Sequence, residues 1–319
     1  MSLKRYILKR IVQAIPMLII ISVLCFTLIQ LAPYNAVDAM VTPRMSQATV
    51  DLIKAKYGLD KPAYIQYFYW LGGIVHGQFG YSIITHQSIS SELVARIPAT
   101  IVVALPAYIC SVILAIIFGL IAGAHKDKWQ DKIIDGLCSV GIAIPSFWLA
   151  MILIFIFGYK LMILPILGMH TIGNESSNVD FLKHFIMPFT VLTLAFVPDQ
   201  TRYVRSSTIG QLSRDYVMLQ DAFGASRFEI LFKHVLKNVV LPIITKMGIA
   251  LPMLVTGAVI TETVFGWPGV GPYFLTAIKG LDYPVIMAIL LLSSSLVILG
   301  NLLSDILYCL TDPRIKGMR

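Results

Sequence analysis

The chain has 319 residues, of which 57% are hydrophobic and only 13% are charged, and its mean hydropathy is +0.79. Soluble proteins carry charge on about a quarter of their residues, so this composition excludes an ordinary soluble domain. The apolar residues form blocks of bilayer-spanning length rather than the alternation of an outer-membrane barrel, and the net charge of +8 reflects membrane topology rather than nucleic-acid binding.

The apolar blocks predict an all-α, polytopic transmembrane helical bundle with six spans. The first block is too long for the apolar core of a cleaved signal peptide, so we interpret it as an uncleaved span. The fourth contains Pro188 and Pro198, and a break of this kind needs support from neighbouring helices, which predicts a position inside the bundle. The predicted spans are residues 11–31, 100–124, 133–157, 185–201, 243–265 and 285–308.

Basic residues predict the orientation of these spans, because Lys and Arg accumulate in loops that stay in the cytoplasm. They cluster before the first span, between the second and third, between the fourth and fifth, and after the last. Both termini are therefore expected in the cytoplasm. The predicted organisation is a tail and first span in residues 1–32, a folded extracytoplasmic loop in 33–98, and a five-helix core in 99–319 with a long cytoplasmic loop at 202–242.

The predicted extracytoplasmic loop is too long for a simple turn and carries its own helix signals. Ser46 can cap a helix that Gly58 ends, and Pro62 can open the next one. Five aromatic residues fall between positions 64 and 70. Such aromatic enrichment is typical of a membrane-interface belt and also of packing against another subunit, and both interpretations stay open here.

The predicted cytoplasmic loop has the pattern of two short helices that meet at Gly224. Residues 215–223 have helical character, and a second apolar face repeats at three- and four-residue spacings. Glycine permits a positive φ and close backbone approach, so the turn could enter a cleft in a partner. A loop that only lies on the membrane surface is the alternative. The residues of the second apolar face are Phe228, Leu231, Val235, Leu236 and Val239.

Motifs for catalysis are absent from the sequence. A phosphate-binding Walker loop requires Gly followed by Lys, and the chain has no such dipeptide. The cysteines show no CxxC spacing and the histidines no HExxH pattern, which gives a structural metal site little support. We therefore do not expect an enzyme, and any movement driven by ATP must come from another polypeptide.

Several segments, in the same order, resemble the permeases of the dipeptide, oligopeptide and nickel group of ATP-binding-cassette importers, of the peptide permease B type. They include KRYILKRIVQAIPMLI near the N-terminus, DYV and AFG in the cytoplasmic loop, HVLKN followed by LP, and TETVFGWPGVGPYFLTAI before the last span. The chain departs from the group at Gln220 and Asp221, where the group usually has a small residue and a basic residue. These two departures imply a contact tuned to a particular ATPase. In the outer segment Gln78 stands where the group commonly has Asp, and substrate is not assigned from that change.

This resemblance implies half of a translocation pathway for di- or oligopeptides in the inner membrane of a bacterium or archaeon. The partners that it implies are a homologous second permease, two ATPase subunits that bind ATP and Mg²⁺, an extracytoplasmic substrate-binding protein and a lipid bilayer. It implies no cofactor bound by this chain and no nucleic acid as a partner. The residues implied in ATPase coupling are Asp215, Tyr216, Asp221, Ala222, Phe223, Gly224, Ala225 and Pro242.

Glu262 is a further candidate, for the translocation pathway, because an ionisable group near the end of a span is costly unless it is paired or hydrated. Its alternative is a headgroup position before the turn at residues 266–269. Other functions stay open at this point: a permease for nickel or another small solute, a proton-coupled secondary transporter, or a membrane-anchored scaffold. A secondary transporter should carry acidic or His relay residues deep in its spans, and none lies near a span centre.

Overall fold

The structure is a computed structural model that describes residues 3–31, 45–56, 61–240 and 258–311, together with residues 243, 248 and 252. Within these residues the secondary structure is helical, with one isolated antiparallel bridge between Tyr81 and Ser88. The helices in chain order are α1 (Leu3–Leu31), α2 (Gln47–Lys56), α3 (Ala63–Val75), α4 (Ile89–Ala124), α5 (Trp129–Ala143), α6 (Ser146–Leu153, continued by a π-helical segment Ile154–Lys160), α7 (Asn178–Leu212), α8 (Asp215–Ala222), α9 (Arg227–Glu229, continued by the π-helical segment Ile230–Val235), α10 (Val259–Val264), α11 (Val270–Lys279) and α12 (Tyr283–Thr311).

Four of the described helices are long and apolar enough to cross a membrane, and the bent pair α5–α6 would make a fifth. The four lie in α1, α4, α7 and α12, which confirms the helical membrane character that the composition predicts. The predicted span at 243–265 falls largely outside the described residues, so the number six stays a prediction. Residues 89–98, which the sequence assigned to the predicted extracytoplasmic loop, form the first turns of α4.

The third predicted span, residues 133–157, is not one continuous helix. The chain bends by 94° between α5 and α6. Pro145 explains the break, because a proline disfavours helical geometry in the residue before it, and Ile144 accordingly has an extended conformation (φ −82°, ψ 117°). The prediction of one span at 133–157 did not include this bend, because hydropathy measures apolar length and does not weigh a proline inside the block; as a single broken span the pair stays a prediction.

Helix α7 is the central helix of the described bundle, and its prolines do not end it. Pro188 and Pro198 lie within a helix of 35 residues, and the buried side chains of α7 continue along most of its length. It packs against α4 and α5. Neighbouring helices can support proline positions of this kind, which agrees with the predicted interior position of the fourth span.

The contact between α4 and α7 depends on two glycines. A Cβ atom added at Gly119 would collide with the side chain of Val204, and one added at Gly123 would collide with Thr208. The two glycines are four residues apart and therefore lie on one face of α4. Small residues at this spacing allow two membrane helices to approach closely, so dispersion contacts between them can replace the absent hydrophobic driving force.

Both helix starts predicted in the segment before α4 are present. The Thr49 N–H donates to Ser46 Oγ at 3.3 Å, so Ser46 caps α2, and Pro62 stands immediately before α3. Gly58 lies outside the described residues. Asp282 fixes the end of this segment to the start of α12, because its carboxylate accepts from Ser82 Oγ at 2.5 Å and from the Ile84 N–H at 3.3 Å.

Candidate functional site

The candidate site is the helix–turn–helix formed by α8 and α9, which follows the C-terminal end of α7. Helix α8 ends in a Schellman turn: the Ala225 N–H donates to the Gln220 carbonyl at 3.0 Å, and the Gly224 N–H donates to the Asp221 carbonyl at 2.9 Å. Gly224 has a φ of +79°, in the left-handed region. The predicted helix break at Gly224 is confirmed, and the turn requires the conformation that glycine adopts without steric cost.

Helix α9 begins with Ser226 as its N-cap, which fixes the exit from this turn. Ser226 Oγ accepts from the Glu229 N–H at 3.2 Å, and Glu229 also stands at the third helical position, where an acidic residue favours helix initiation. Gly224 ends α8 and Ser226 starts α9. These two residues, one on each side of Ala225, determine the angle between the helices.

The inner face of this unit belongs to the core of the bundle. Val235 and Val239 are fully buried, as predicted, and Ile230 is nearly so. These residues form one apolar cluster with Leu120 of α4 and Val204 of α7. The close packing of this cluster ties the unit to two long helices, because a close-packed core does not deform continuously.

The predicted inner face was wrong at Phe228, whose side chain is 70% exposed. The reason is the π-helical segment that starts at Ile230. Its wider turn changes the angular position of each following residue relative to a regular 3.6-residue helix. Ile230 consequently takes the buried position, while Phe228 stacks on Phe232 at the surface, with 4.4 Å between ring centroids.

A polar contact locks α8 to α9 below the turn. The Tyr216 hydroxyl donates to Gln211 Oε1 at 3.0 Å and accepts from Asn238 Nδ2 at 3.2 Å. The three residues come from the end of α7, from α8 and from the helical residues that follow α9. Tyr216 was predicted as a coupling residue, and the structure places it inside the unit, half-buried, rather than at its tip.

The outward surface of the unit exposes large hydrophobic side chains among charged ones, and we call the hydrophobic set the tip surface. Large hydrophobic side chains occupy it, and Phe223, beside the turn, is 83% exposed. A patch of this type on a folded protein marks an interaction site. The tip surface consists of Met218, Leu219, Phe223, Phe228 and Phe232.

The structure brings together the predicted coupling residues that it describes. Asp215 is exposed in the first turn of α8, Ala222 and Phe223 are exposed at its end, and Ala225 is half-buried beyond the turn. Asp221 is exposed and contributes its carbonyl to the Schellman turn. Pro242 lies outside the described residues.

Sequence reasoning did not identify an ion pair that joins α5 to α7 near the coupling loop. Two guanidinium nitrogens of Arg205 donate to the Asp131 carboxylate: Nε to Oδ1 at 2.5 Å and Nη2 to Oδ2 at 2.6 Å. The Asp131 side chain is 3% exposed. Arg205 entered the sequence argument only as a basic residue, because nothing in the chain indicates that a residue 74 positions away is its partner.

Glu262 is buried within this chain, with 1% of its surface exposed. The Gly271 N–H donates to Glu262 Oε2 at 2.7 Å, and the Trp267 N–H donates to the Glu262 carbonyl at 2.8 Å. Glu262 Oε1 is buried and has no hydrogen-bond partner within the described part of the chain. The side chain thus holds the turn between α10 and α11, and a role in the pathway stays a prediction.

The same turn is fixed to α4 from its other side. Trp267 is fully buried, and its indole N–H donates to the Ala99 carbonyl at 2.8 Å. The Val270 N–H donates to Thr100 Oγ1 at 2.9 Å. For metal binding, no group of three or more His, Cys, Asp or Glu residues within the described ranges has the proximity that a metal ion needs.

Comparison with known proteins gives matches along most of the chain. Residues 115–317 match the family described as binding-protein-dependent transport system inner membrane component, and residues 3–104 match the family described as its N-terminal membrane component. The chain is 38% identical over 312 residues to the oligopeptide transport system permease protein AppB of Bacillus subtilis (strain 168), covering 98% of this chain and 99% of that protein. It is 32% identical over 311 residues to the glutathione transport system permease protein GsiC of Escherichia coli (strain K12), covering 98% of each.

Proposed function

Because this chain belongs to the family of inner membrane components of binding-protein-dependent transport systems, we propose that it forms half of a peptide translocation pathway driven by ATP hydrolysis in partner subunits. The relatives named above transport oligopeptides and glutathione, itself a small peptide, according to their names. These names support a peptide substrate over the nickel alternative. Membership of this family also argues against a secondary transporter or a scaffold.

The observation that carries the coupling role is the pairing of an exposed apolar tip with a buried base. The tip surface offers Phe223 and the Phe228–Phe232 pair to a partner, while Val235 and Val239 are packed into the bundle. Aromatic side chains contribute strongly to protein interfaces because they bury much area with little loss of conformational entropy. An ATPase subunit that holds the tip would therefore move α4 and α7.

The partner set follows from this division of labour. The chain has no Walker loop, so two ATPase subunits are proposed to bind ATP and Mg²⁺, one of them on the tip surface. A homologous second permease would complete the pathway, and an extracytoplasmic binding protein would deliver the peptide. This chain would contribute the helices that alternate the access of the pathway between the two sides of the membrane.

The experiment compares cells with and without the gene for uptake of a labelled peptide pool and of nickel. Deletion should abolish uptake of peptides in the pool. In cells that have the gene, arsenate, which depletes ATP, should abolish uptake, whereas a protonophore alone should not. Peptide uptake that survives deletion would contradict the proposal. Uptake that follows the proton gradient rather than ATP would support a secondary transporter instead.

The coupling role is tested in the same cells by complementation with Gly224→Val. A β-branched residue in the left-handed region costs roughly 1–2 kcal/mol, and an added Cβ at Gly224 would meet no atom of the described residues within 4 Å. We expect normal insertion but loss of most uptake, because the turn can no longer hold its shape against the ATPase. Gly136→Val on α5 is the matched control, since its site is equally open.

A further inference from the structure

Helix α3 is an uncharged helix with an unusually apolar exposed surface. None of residues 62–91 is Lys, Arg, Asp or Glu, and no side chain of α3 is buried. Phe68 is 67% exposed and Val75 is 77% exposed. Tyr64 and Tyr69 add two exposed rings to the same helix. In water this surface would be costly, so something apolar is expected to cover it.

Contacts with α1 give the depth of α3 relative to the membrane. Gln30 Nε2 donates to Gln66 Oε1 at 2.7 Å, and the Ser22 and Tyr67 hydroxyls are hydrogen-bonded at 2.8 Å. The apolar span in α1 covers Leu8–Leu28. Ser22 lies six residues inside the end of that span, which at 1.5 Å per residue is about 9 Å towards the bilayer centre. The Tyr67 side chain therefore reaches well into the depth range of the span.

The direction of α3 leads further into that depth range. Phe26 of α1 contacts both Tyr67 and Trp70, with ring centroids 5.4 and 5.6 Å apart. One turn later, Ile74 packs with Trp70 against Cys25 of α1 and Leu291 of α12. Along α3, Gln66 contacts Gln30, Trp70 contacts Phe26, and Ile74 packs against the cluster that contains Cys25. The contacted position in α1 falls as the position in α3 rises, so the two helices run antiparallel.

We propose that α3 is a half-inserted helix embedded in lipid, in the leaflet that contains the C-terminal end of α1. One face of α3 rests on α1 and α12, and acyl chains and the headgroup boundary cover the opposite face, which carries Phe68 and Val75. A helix can occupy this position because it satisfies its own backbone hydrogen bonds. The exposed tyrosines suit the membrane interface, where amphipathic rings are enriched.

Two observations favour lipid over a protein partner as the occupant. Helix α1, on which α3 packs, also exposes large apolar side chains, with Leu24 57% and Leu28 49% exposed. In addition, the rim of a protein interface is normally polar, and charge there gives specificity, whereas α3 and the residues after it have no charge at all. Helix α2 differs, since it contains Asp51, Lys54 and Lys56.

The test is site-directed spin labelling of the complete transporter in lipid nanodiscs. The four cysteines are replaced by alanine, and a nitroxide is attached to Phe68→Cys or Val75→Cys. Leu24→Cys in α1 serves as the lipid reference, and Leu52→Cys in α2, which is 72% exposed, as the water reference. All four positions are exposed, so the label removes no core packing. Collision with oxygen, which concentrates in lipid, is compared with collision with water-soluble Ni-EDDA.

We expect the ratio of oxygen collision to Ni-EDDA collision at positions 68 and 75 to be several-fold higher than at Leu52. It should be close to the ratio at Leu24. A ratio equal to that at Leu52 would place α3 in water and overturn the proposal. Low collision with both reagents would overturn it too, since a protein subunit would then cover α3. The inference rests on α1 being a membrane span, as the family assignment implies, and the result is independent of peptide uptake, so it can fail while the proposed function stands.

Discussion

The ion pair between Asp131 and Arg205 is the strongest polar contact between α5 and α7. The carboxylate accepts two hydrogen bonds from one guanidinium, and the Asp127 N–H donates to Asp131 Oδ2 at 2.8 Å. Removing one partner of a buried ion pair leaves an uncompensated charge, which costs more than the pair contributes when intact. A second pair between the same helices, Arg202 and Asp135, has side chains 42% and 48% exposed.

At this scale we predict different effects for two chemically identical substitutions. Asp131→Asn should destabilise the purified transporter by about 1.5–3 kcal/mol, because Arg205, whose side chain is 27% exposed, loses its hydrogen bonds to a buried carboxylate. Asp135→Asn should cost less than about 1 kcal/mol, because water screens an exposed pair. Thermal unfolding of the two variants in one detergent measures the difference. Equal melting temperatures would show that the Asp131 pair is not buried in the assembled protein.

The elements α4 and α7 are held at close distance by the backbone rather than by large side chains. Gly119 and Gly123 face Val204 and Thr208, and the buried side chains of the α8–α9 unit pack against the same two helices. The distance between α4 and α7 and the position of the α8–α9 unit are consequently linked. A change that separates α4 from α7 should disturb both stability and coupling.

The prediction at the element scale uses a single added methyl group. Gly119→Ala should destabilise the protein by about 2 kcal/mol, since the new Cβ collides with Val204 and the packed helices must move apart. Gly136→Ala, at a helical site with no atom within 4 Å, should be neutral or stabilising by up to about 1 kcal/mol. Unfolding of both variants by heat gives the comparison. A Gly119→Ala protein as stable as the parent would contradict the close approach.

For the whole molecule, the number of spans determines on which side each terminus lies. The described helices supply four spans, or five with the bent pair, and the predicted span at 243–265 would make six. Six spans return the C-terminus to the side of the N-terminus, whereas five would leave it on the opposite side. The basic residues around the spans predict cytoplasmic termini.

We therefore predict opposite labelling of Thr85→Cys and Arg319→Cys, each in a background without other cysteines. A membrane-impermeant maleimide should label Thr85→Cys in intact spheroplasts, and Arg319→Cys only in inverted vesicles. The exposed position of Thr85 makes its thiol accessible in the folded protein. Labelling of both positions from the same side would exclude six spans with both termini in the cytoplasm.

Features that depend on neighbours in the chain could be predicted from the sequence. The apolar blocks gave the membrane helices because bilayer thickness sets their length, and Ser46, Pro62 and Gly224 marked helix ends because capping and backbone conformation are local properties. The α8–α9 unit could be located because its helix break at Gly224 is a local property too. Pro145 was a local signal as well, and hydropathy alone did not register it.

Only the tertiary structure decided the features that join distant parts of the chain. Asp131 meets Arg205 across 74 positions, Glu262 is buried against a turn that α4 holds in place, and the Tyr67 hydroxyl reaches Ser22 inside a span. The exposure of Phe228 belongs with them, because the π-helical segment beside it is part of a face packed on α4 and α7. Helix periodicity states which residues share a face, whereas packing decides which face is buried and which charges pair.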